Sequence, residues 1–485
     1  MGTAQGRPRV GRQSPAEAAR GSGRVGQVVF GEVLNRFVKE SAVTVMVRAA
    51  MENALSAEAL DGLFERTAER QYTRELLFST MVDLMSTVVC GGRPSVHAAY
   101  QDAVERLPTS ITAVYDKLDG LEPKTSGALV RHTAERLQPV ITAMGGQFPD
   151  LLPGYRLKIL DGNHLAATER RLKVLRRSKA GPLPGQCLVV LDPALMQAVD
   201  VIPCEDGHAQ ERSLTDEILG LVREGEVWLD DRNFCTTRLL FGFNDRRAFF
   251  VTRQHAVTLR WKTVRRRKKL GRIESGMVWE QRVRLTDADG RTQMARRITV
   301  VLDTPTRDGD REMHVLTNLP ARAVSGKTVA ELYRKRWTLE TMFQELEATL
   351  NSEIRTLGYP KAALFAFCVA LATYNVLSVV KAALRAEYGH ERIQNEVSGY
   401  YLAGELRATY KGMCIAVPEA EWEIFQQMSV DGLADILRHF ASHVVLARFR
   451  RHPRGPKRPV PPRNRFTTHK HVSTARLLAA SGASP

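Results

Sequence analysis

The sequence predicts an α/β protein: a mixed-sheet core with a β-rich insertion, flanked by helical regions. Three textures along the chain point to it. Apolar residues recur every three or four positions from about residue 31 to 150. Short β-branched runs bounded by Gly and Pro then prevail to about residue 319. Helical spacing returns and persists to about residue 446. Strands interrupted by a helix, rather than strands alone, imply layers of helix on sheet.

Taken in order, residues 1–30 are rich in Gly, Arg, Ser and Pro and are expected to form a loose, disordered basic arm. EVLNRFVKESAVTVMVRAAMENAL and LFERTAERQYTRELLFSTMVDLM belong to a helical N-terminal domain over 31–150, broken at GGRPS and GGQFPDLLPG. YRLKILDGNH, CLVVLDP and AVDVIP read as three strands. SLTDEILGLVREG reads as a helix, with Ser213 and Asp216 at capping-box spacing and Gly225 as its stop. EVWLDDRNF and AFFVTRQH are the next strands and close the first part of the core, 151–256. Residues 257–311 form the insertion: TLRWKTVRRRKKLGR is densely basic, RITVVLD alternates, and DADG marks a hairpin. EMHVLTNL returns to the core, whose second part covers 312–395. Thr328 and Glu331 form a second capping box, so a helix is expected from about Val329 to Asn351. A C-terminal helical region, 396–446, precedes a basic Pro-rich tail, 447–485, expected to be extended or disordered until bound.

Charge narrows the partners. Seventy Lys and Arg against 53 Asp and Glu leave a net charge of +17, and the pI is about 9.8. Such an excess attracts polyanions; nucleic acid is the commonest, and an acidic membrane surface is the competing choice. The N-terminal helices are taken as DNA-binding. A hydrophobic share of 44% excludes a disordered chain. The six cysteines are scattered with no C-x2-C pair, which argues against a zinc site and a disulfide framework and fits a reducing cytoplasm. The start, MGTAQGRPRVGRQSP, has no apolar core of a signal peptide, and Gly6 breaks the myristoylation pattern. Residues 362–380 are uncharged and close to membrane-spanning length, but they carry Thr373, Tyr374, Asn375 and Ser378. A helix buried in the core is expected there, and no membrane partner.

The chemistry is sought where apolar strands end in acids. LKILD ends in Asp161 and VWLDD in Asp230 and Asp231. A carboxylate in such a place is costly unless paired, hydrogen-bonded or bound to metal, although each could simply cap a turn. Asp161, Asp231 and Glu340 converge if the two strands are neighbours and the later helix packs across their ends. Three carboxylates without a basic partner call for Mg²⁺ or Mn²⁺. Two such ions about 4 Å apart would activate a water or a 3′-hydroxyl for in-line phosphoryl transfer.

The segment YRKRWTLETMFQELEATL, residues 333–350, strengthens that reading. Tyr333, Arg336 and Glu340 resemble the Y-x2-R-x3-E-x6-K signature of the insertion-sequence-4 family of DDE transposases, and Trp337 suits it. DGNH at Asp161 resembles that family's first-Asp motif; Asp231-Arg232-Asn233-Phe234 is similar to its second, D-R-x-F. The resemblance covers about 150–360. It implies an RNase H-like core with Asp161, Asp231 and Glu340 as catalytic metal ligands, two divalent ions, and Tyr333, Arg336 and Trp337 against DNA. It also implies transposon-end inverted repeats and target DNA as partners, a homodimer in a synaptic complex, and a bacterial, nucleoid-associated cytoplasmic protein. Asp230 remains the rival to Asp231.

One position departs: Glu347 stands where the family has Lys. That replaces a phosphate-contacting cation by an anion, unless a nearby Lys or Arg substitutes. Glu345 and Glu347 are otherwise solvated surface charges. In the insertion, Trp261 and Trp279 are candidates for stacking on a displaced base, with packing as the plainer role. Arg265, Arg266, Arg267, Lys268 and Lys269 are read as a phosphate-facing patch, and His164 as a structural neighbour of Asp161. The expected activity is cut-and-paste transposition; the alternatives are a nuclease that cuts without joining and a copy that only binds DNA.

Overall fold

The computed structural model describes residues 30–71, 75–107, 109–165, 168–255, 259–306, 309–452 and 470–482. Residues 1–29 and 453–469, most of the expected basic arm and the Pro-rich part of the tail, lie outside the described residues.

The N-terminal region is helical: α1 (Glu32–Glu40), α2 (Ala42–Ala54), α3 (Ala57–Thr67), α4 (Phe78–Val89), α5 (Val96–Ala103), α6 (Ile111–Gly120) and α7 (Pro123–Met144). Local chemistry sets their ends. Ser56, Ser95 and Ser110 cap α3, α5 and α6 by accepting from the backbone N–H three residues on. α7 opens on Pro123, whose missing N–H is no loss in a first turn, and stops at Gly145 with φ 69°.

The core follows as β1 (Arg156–His164), α8 (Lys173–Arg176), β2 (Gly181–Leu183), β3 (Gln186–Asp192), β4 (Gln197–Cys204), α9 (Thr215–Leu221), β5 (Glu226–Asp230), α10 (Thr237–Asp245) and β6 (Phe249–Arg253). β1, β3 and β4 form an antiparallel meander, while β5 joins β1 in parallel and β6 joins β5 in parallel. This order, β4-β3-β1-β5-β6, is that of an RNase H-like core. The insertion supplies β7 (Arg260–Thr263), β8 (Lys268–Ile273), β9 (Gly276–Thr286) and β10 (Thr292–Leu302). These strands extend the same sheet, because β10 pairs with β11 (Glu312–Thr317) and β11 with β6. The DADG hairpin is present between β9 and β10, closed by Asp287 N–H donating to the Arg291 carbonyl.

The last helices are α11 (Gly326–Arg334), α12 (Trp337–Thr349), α13 (Pro360–Tyr388), α14 (His390–Glu396), α15 (Gly399–Ala416), α16 (Ala420–Gln426) and α17 (Val430–Ala441). α13 is the apolar segment that raised the membrane question, and residues 362–380 are all buried. Its polar side chains have protein partners. Asn375 accepts from and donates to the backbone of Ala198 at 2.8 Å, and Ser378 donates to the Met196 carbonyl at 2.6 Å. They thereby tie α13 to β4, the edge of the sheet, whose backbone would otherwise be open to pairing. Phe365, Phe367, Val369 and Leu371 on this helix are fully buried. Each such burial contributes about 1.5–3 kcal/mol.

Three expectations need correction. A 3-10 turn, Glu211–Leu214, precedes α9, and Ser213 Oγ donates to the Gln210 carbonyl instead of capping. Gly225, at φ 80°, turns the chain into β5 rather than ending the helix, which stops at Leu221. The helix expected over 329–351 is two helices. α11 starts earlier because Ser325 Oγ, not Thr328, accepts the capping bond from Thr328 N–H at 3.1 Å. It ends where Lys335 and Arg336 N–H bond three residues back, to Leu332 and Tyr333, tightening the chain without Gly or Pro. Tyr333 therefore does not share one unbroken helical face with Glu340 and Glu347. Finally, the tail is partly folded. β12 (His471–Ser473) pairs in parallel with β2, and α18 (Thr474–Ser481) follows, held by Arg476 to Asp206 at 2.7 Å. Beyond the prolines, the backbone at residues 471–473 regains the donors that a strand needs.

Candidate active site

Parallel pairing of β1 with β5 runs from Arg156 beside Glu226 to Ile159 beside Leu229. Two residues further on, Asp161 lies inside β1 opposite Val189 of β3, while Asp231 directly follows β5, near enough for its charge to act on the Asp161 carboxyl. Side chains alternate, so Asp161 and Asp231 share the side of Ile159 and Leu229, which pack in the larger core with Leu339 and Met342 of α12. Asp230 takes the opposite side, with Leu160 and Trp228. It is completely buried, and burial pushes its carboxyl well above the usual range. Leu339, Met342 and Leu346 seat α12 on the core, leaving Glu340 half-exposed at the strand ends.

Arg336 joins the two sides of the site. Its Nη1 donates to Asp161 Oδ2 at 2.5 Å and its Nη2 to Glu340 Oε1 at 2.5 Å. Asp161 Oδ1 also accepts from Gly162 N–H at 3.0 Å, and Asp231 Oδ1 from Arg232 N–H at 2.6 Å. The expectation of carboxylates without a basic partner is thus corrected. Acids at the ends of buried strands need compensation, and an arginine four residues before Glu340 supplies it. Burial raises the Asp161 carboxyl to about 6; Arg336 pulls the other way, while Asp231 and Glu211 add repulsion. Burial alone would lower the Arg336 guanidinium, but Asp161, Tyr333, Asp231 and Glu340 together raise it.

Glu211 was not singled out by the sequence. It lies between β4 and α9, where Asn233 Nδ2 donates to its Oε2 at 3.2 Å. Burial raises its carboxyl, and His164, exposed at the end of β1, opposes that rise. No periodicity or motif marks it. Its one trace is Gly162, where a Cβ would stand 2.0 Å from Glu211 Oε1.

Among the described residues, no three His, Cys, Asp or Glu side chains are placed as a ready metal site. Asp161 and Glu340 are instead bridged by a guanidinium. The donors themselves are carboxylate oxygens, which suit a hard divalent cation. Asp161 is raised even with Arg336 beside it, so one guanidinium does not offset the negative charge and burial there. By donor chemistry these carboxylates suit Mg²⁺ or Mn²⁺, while in this arrangement Arg336 stands between Asp161 and Glu340.

The expected DNA contacts are placed as follows. Tyr333 is buried, and burial raises its hydroxyl; Arg336 is buried and engaged by the acids, so neither offers its polar end to solvent here. Trp337, next in the chain, is 62% exposed. Arg265, Arg266, Arg267, Lys268 and Lys269 are all exposed. Arg267 also pairs with Glu312 at 3.1 Å and lies 4.8 Å over the Trp279 ring, while Arg297 lies 5.0 Å over Trp261. Both tryptophans are half-buried, each with a guanidinium over a ring face. Glu347 is exposed, as expected. Glu345 is not a solvated charge; it is half-buried and paired with Lys381.

Residues 159–376 match the family model of the transposase DDE domain. That span runs from β1 into α13 and contains Asp161, Asp231 and Glu340. The match supports a DDE transposase family, whose chemistry is phosphoryl transfer on nucleic acid. No curated protein matches the chain.

Proposed function

We propose that the protein is a DNA transposase of the insertion-sequence-4 type, which binds terminal inverted repeats, cleaves at the element's ends and joins them to target DNA. The observation that supports this reading is Arg336, which bonds Asp161 of β1 and Glu340 of α12, with Asp231 close enough to act on the Asp161 carboxyl. Asp161, Asp231 and Glu340 would hold the two divalent cations of this reading, which when bound would supply activation of the attacking water or 3′-hydroxyl and charge neutralisation at the leaving oxygen. Arg336, displaced from the acids, turns its guanidinium to the phosphate beside the cut, with Trp337 against the same strand. Arg265, Arg266, Lys268 and Lys269 bind backbone phosphates along the insertion, and two copies act together in a synaptic complex, in a bacterial cytoplasm.

Purified protein with Mg²⁺ and a DNA fragment bearing the element's ends is expected to nick and join strands. Products cut but never joined would replace the transposase by a nuclease. A second reading, a copy that only binds DNA, is favoured by Glu347 at the family's Lys position and by Arg336 between Asp161 and Glu340. DNA binding without any metal-dependent cleavage would decide for it.

A further inference from the structure

We infer that Glu211 is a positioning residue for this reaction: its carboxylate bridges β1 just after Asp161 and the 3-10 turn just after Asp231, and fixes how Asp161 and Asp231 stand relative to each other. The inference rests on the transposase reading of the site. One oxygen, Oε2, accepts from Asn233 Nδ2 at 3.2 Å, two residues past Asp231. The other, Oε1, occupies the space over Gly162, 2.0 Å from where a Cβ would be, directly after Asp161. A single side chain thus reaches the β1 strand just after Asp161 and the 3-10 turn just after Asp231. Gly162 is not in the left-handed region, so its backbone does not demand glycine. What the missing side chain provides there is room for Glu211. The same carboxylate also links two short 3-10 turns, Glu211–Leu214 and Arg232–Phe234. Side chains that orient the groups of a catalytic or metal site typically matter by about 10–100-fold in affinity or rate.

The test compares Glu211→Ala, Glu211→Gln, Gly162→Ala and Asn233→Ala in the full chain. Gln keeps an oxygen for Asn233 and fits the same space. It should behave within about threefold of wild type, whereas Glu211→Ala should lose at least about tenfold in kcat with KM for end DNA unchanged. Gly162→Ala should reproduce that loss by pushing Glu211 aside. Glu211→Ala and Asn233→Ala should be no worse together than the worse single change, because both remove one link. The Mn²⁺ concentration that half-saturates the thermal shift, measured with MnCl₂ and no DNA, should rise about tenfold for Glu211→Ala and stay put for Gln. Wild-type kcat and Mn²⁺ midpoint in Glu211→Ala, or equal losses in Ala and Gln, overturn the inference. If wild type itself fails to cleave end DNA, the transposase reading fails, and the Mn²⁺ midpoints still decide the role of Glu211.

Discussion

Arg336 donates to Asp161 across 175 residues of chain, at 2.5 Å, and to Glu340 within its own turn of helix. The residue expected to hold a DNA phosphate is therefore, without DNA, the counter-ion of the acids. A cation entering the site and a phosphate beside it would each take over one side of that exchange. The departure of Arg336 from the acids is then coupled to its arrival on DNA.

Arg336→Met should separate these roles. Removing the guanidinium leaves a buried acid uncompensated and should cost about 1–3 kcal/mol of stability in metal-free buffer, since Glu340 is partly exposed and contributes little. Without its competitor, Mn²⁺ should bind the DNA-free protein about tenfold more tightly, a change of about 1.4 kcal/mol by titration calorimetry. Strand cleavage should nevertheless fall. Unchanged or weaker Mn²⁺ binding contradicts competition between the cation and Arg336.

Asp161 sets a pH dependence of defined sign. Its folded pKa, about 6, lies above the unfolded value of about 3.9. The folded state thus binds the extra proton between about pH 4 and 6, and stability falls as pH rises through that window. Below it the penalty is absent, and above it the penalty is complete. Relative to Asp161→Asn, wild type should lose about 1–3 kcal/mol between pH 4 and pH 7 in chemical denaturation without metal. A difference that does not vary with pH contradicts the burial of Asp161.

Tyr333 and Trp337 should part company. Tyr333 is buried against Arg336, so Tyr333→Phe should lower stability by about 0.5–1.5 kcal/mol and leave DNA affinity of the metal-free protein unchanged. Trp337→Ala, at a side chain 62% exposed, should change stability by less than about 0.5 kcal/mol and weaken DNA binding. Thermal denaturation and a DNA-binding titration on the two variants distinguish them.

The insertion should reveal itself through salt. Arg265, Arg266, Lys268 and Lys269 are exposed, and the acid that engages Arg267 does not hold them. Changing all four to Ala should reduce the slope of log affinity against log salt by up to about 3–4, near 0.9 for each phosphate no longer neutralised. Arg267→Ala should instead expose Trp279 and lower stability. An unchanged slope in the fourfold variant places the DNA elsewhere.

How far the site was legible depends on which forces set it. Asp161 and Asp231 stood out because each ends an apolar strand, a signal that period-two patterning carries locally. Glu340 stood out by spacing within one helix. The break at Lys335–Arg336 has no Gly or Pro to announce it, and the Asp161 partner of Arg336 exists only once β1 and α12 meet. Glu211 sits in a loop without periodicity, so it became visible only through the space over Gly162. That Asp230 and Asp231 face opposite sides of the sheet follows from strand alternation, which the motif alone does not carry. β12 is three residues long, too short for a pattern, and depends on β2 as its partner.

The most direct measurement is the Mg²⁺-dependent cleavage rate of end DNA under single turnover for Asp231→Asn beside Asp230→Asn. Asp231 lies with Asp161 on the side of α12, whereas Asp230 is buried on the other side with its neutral form favoured. Asp231→Asn should lose at least about a thousandfold, and Asp230→Asn should stay within about tenfold of wild type while folding normally. Wild-type cleavage by Asp231→Asn, or equal losses in both, would contradict the site built from Asp161, Asp231 and Glu340.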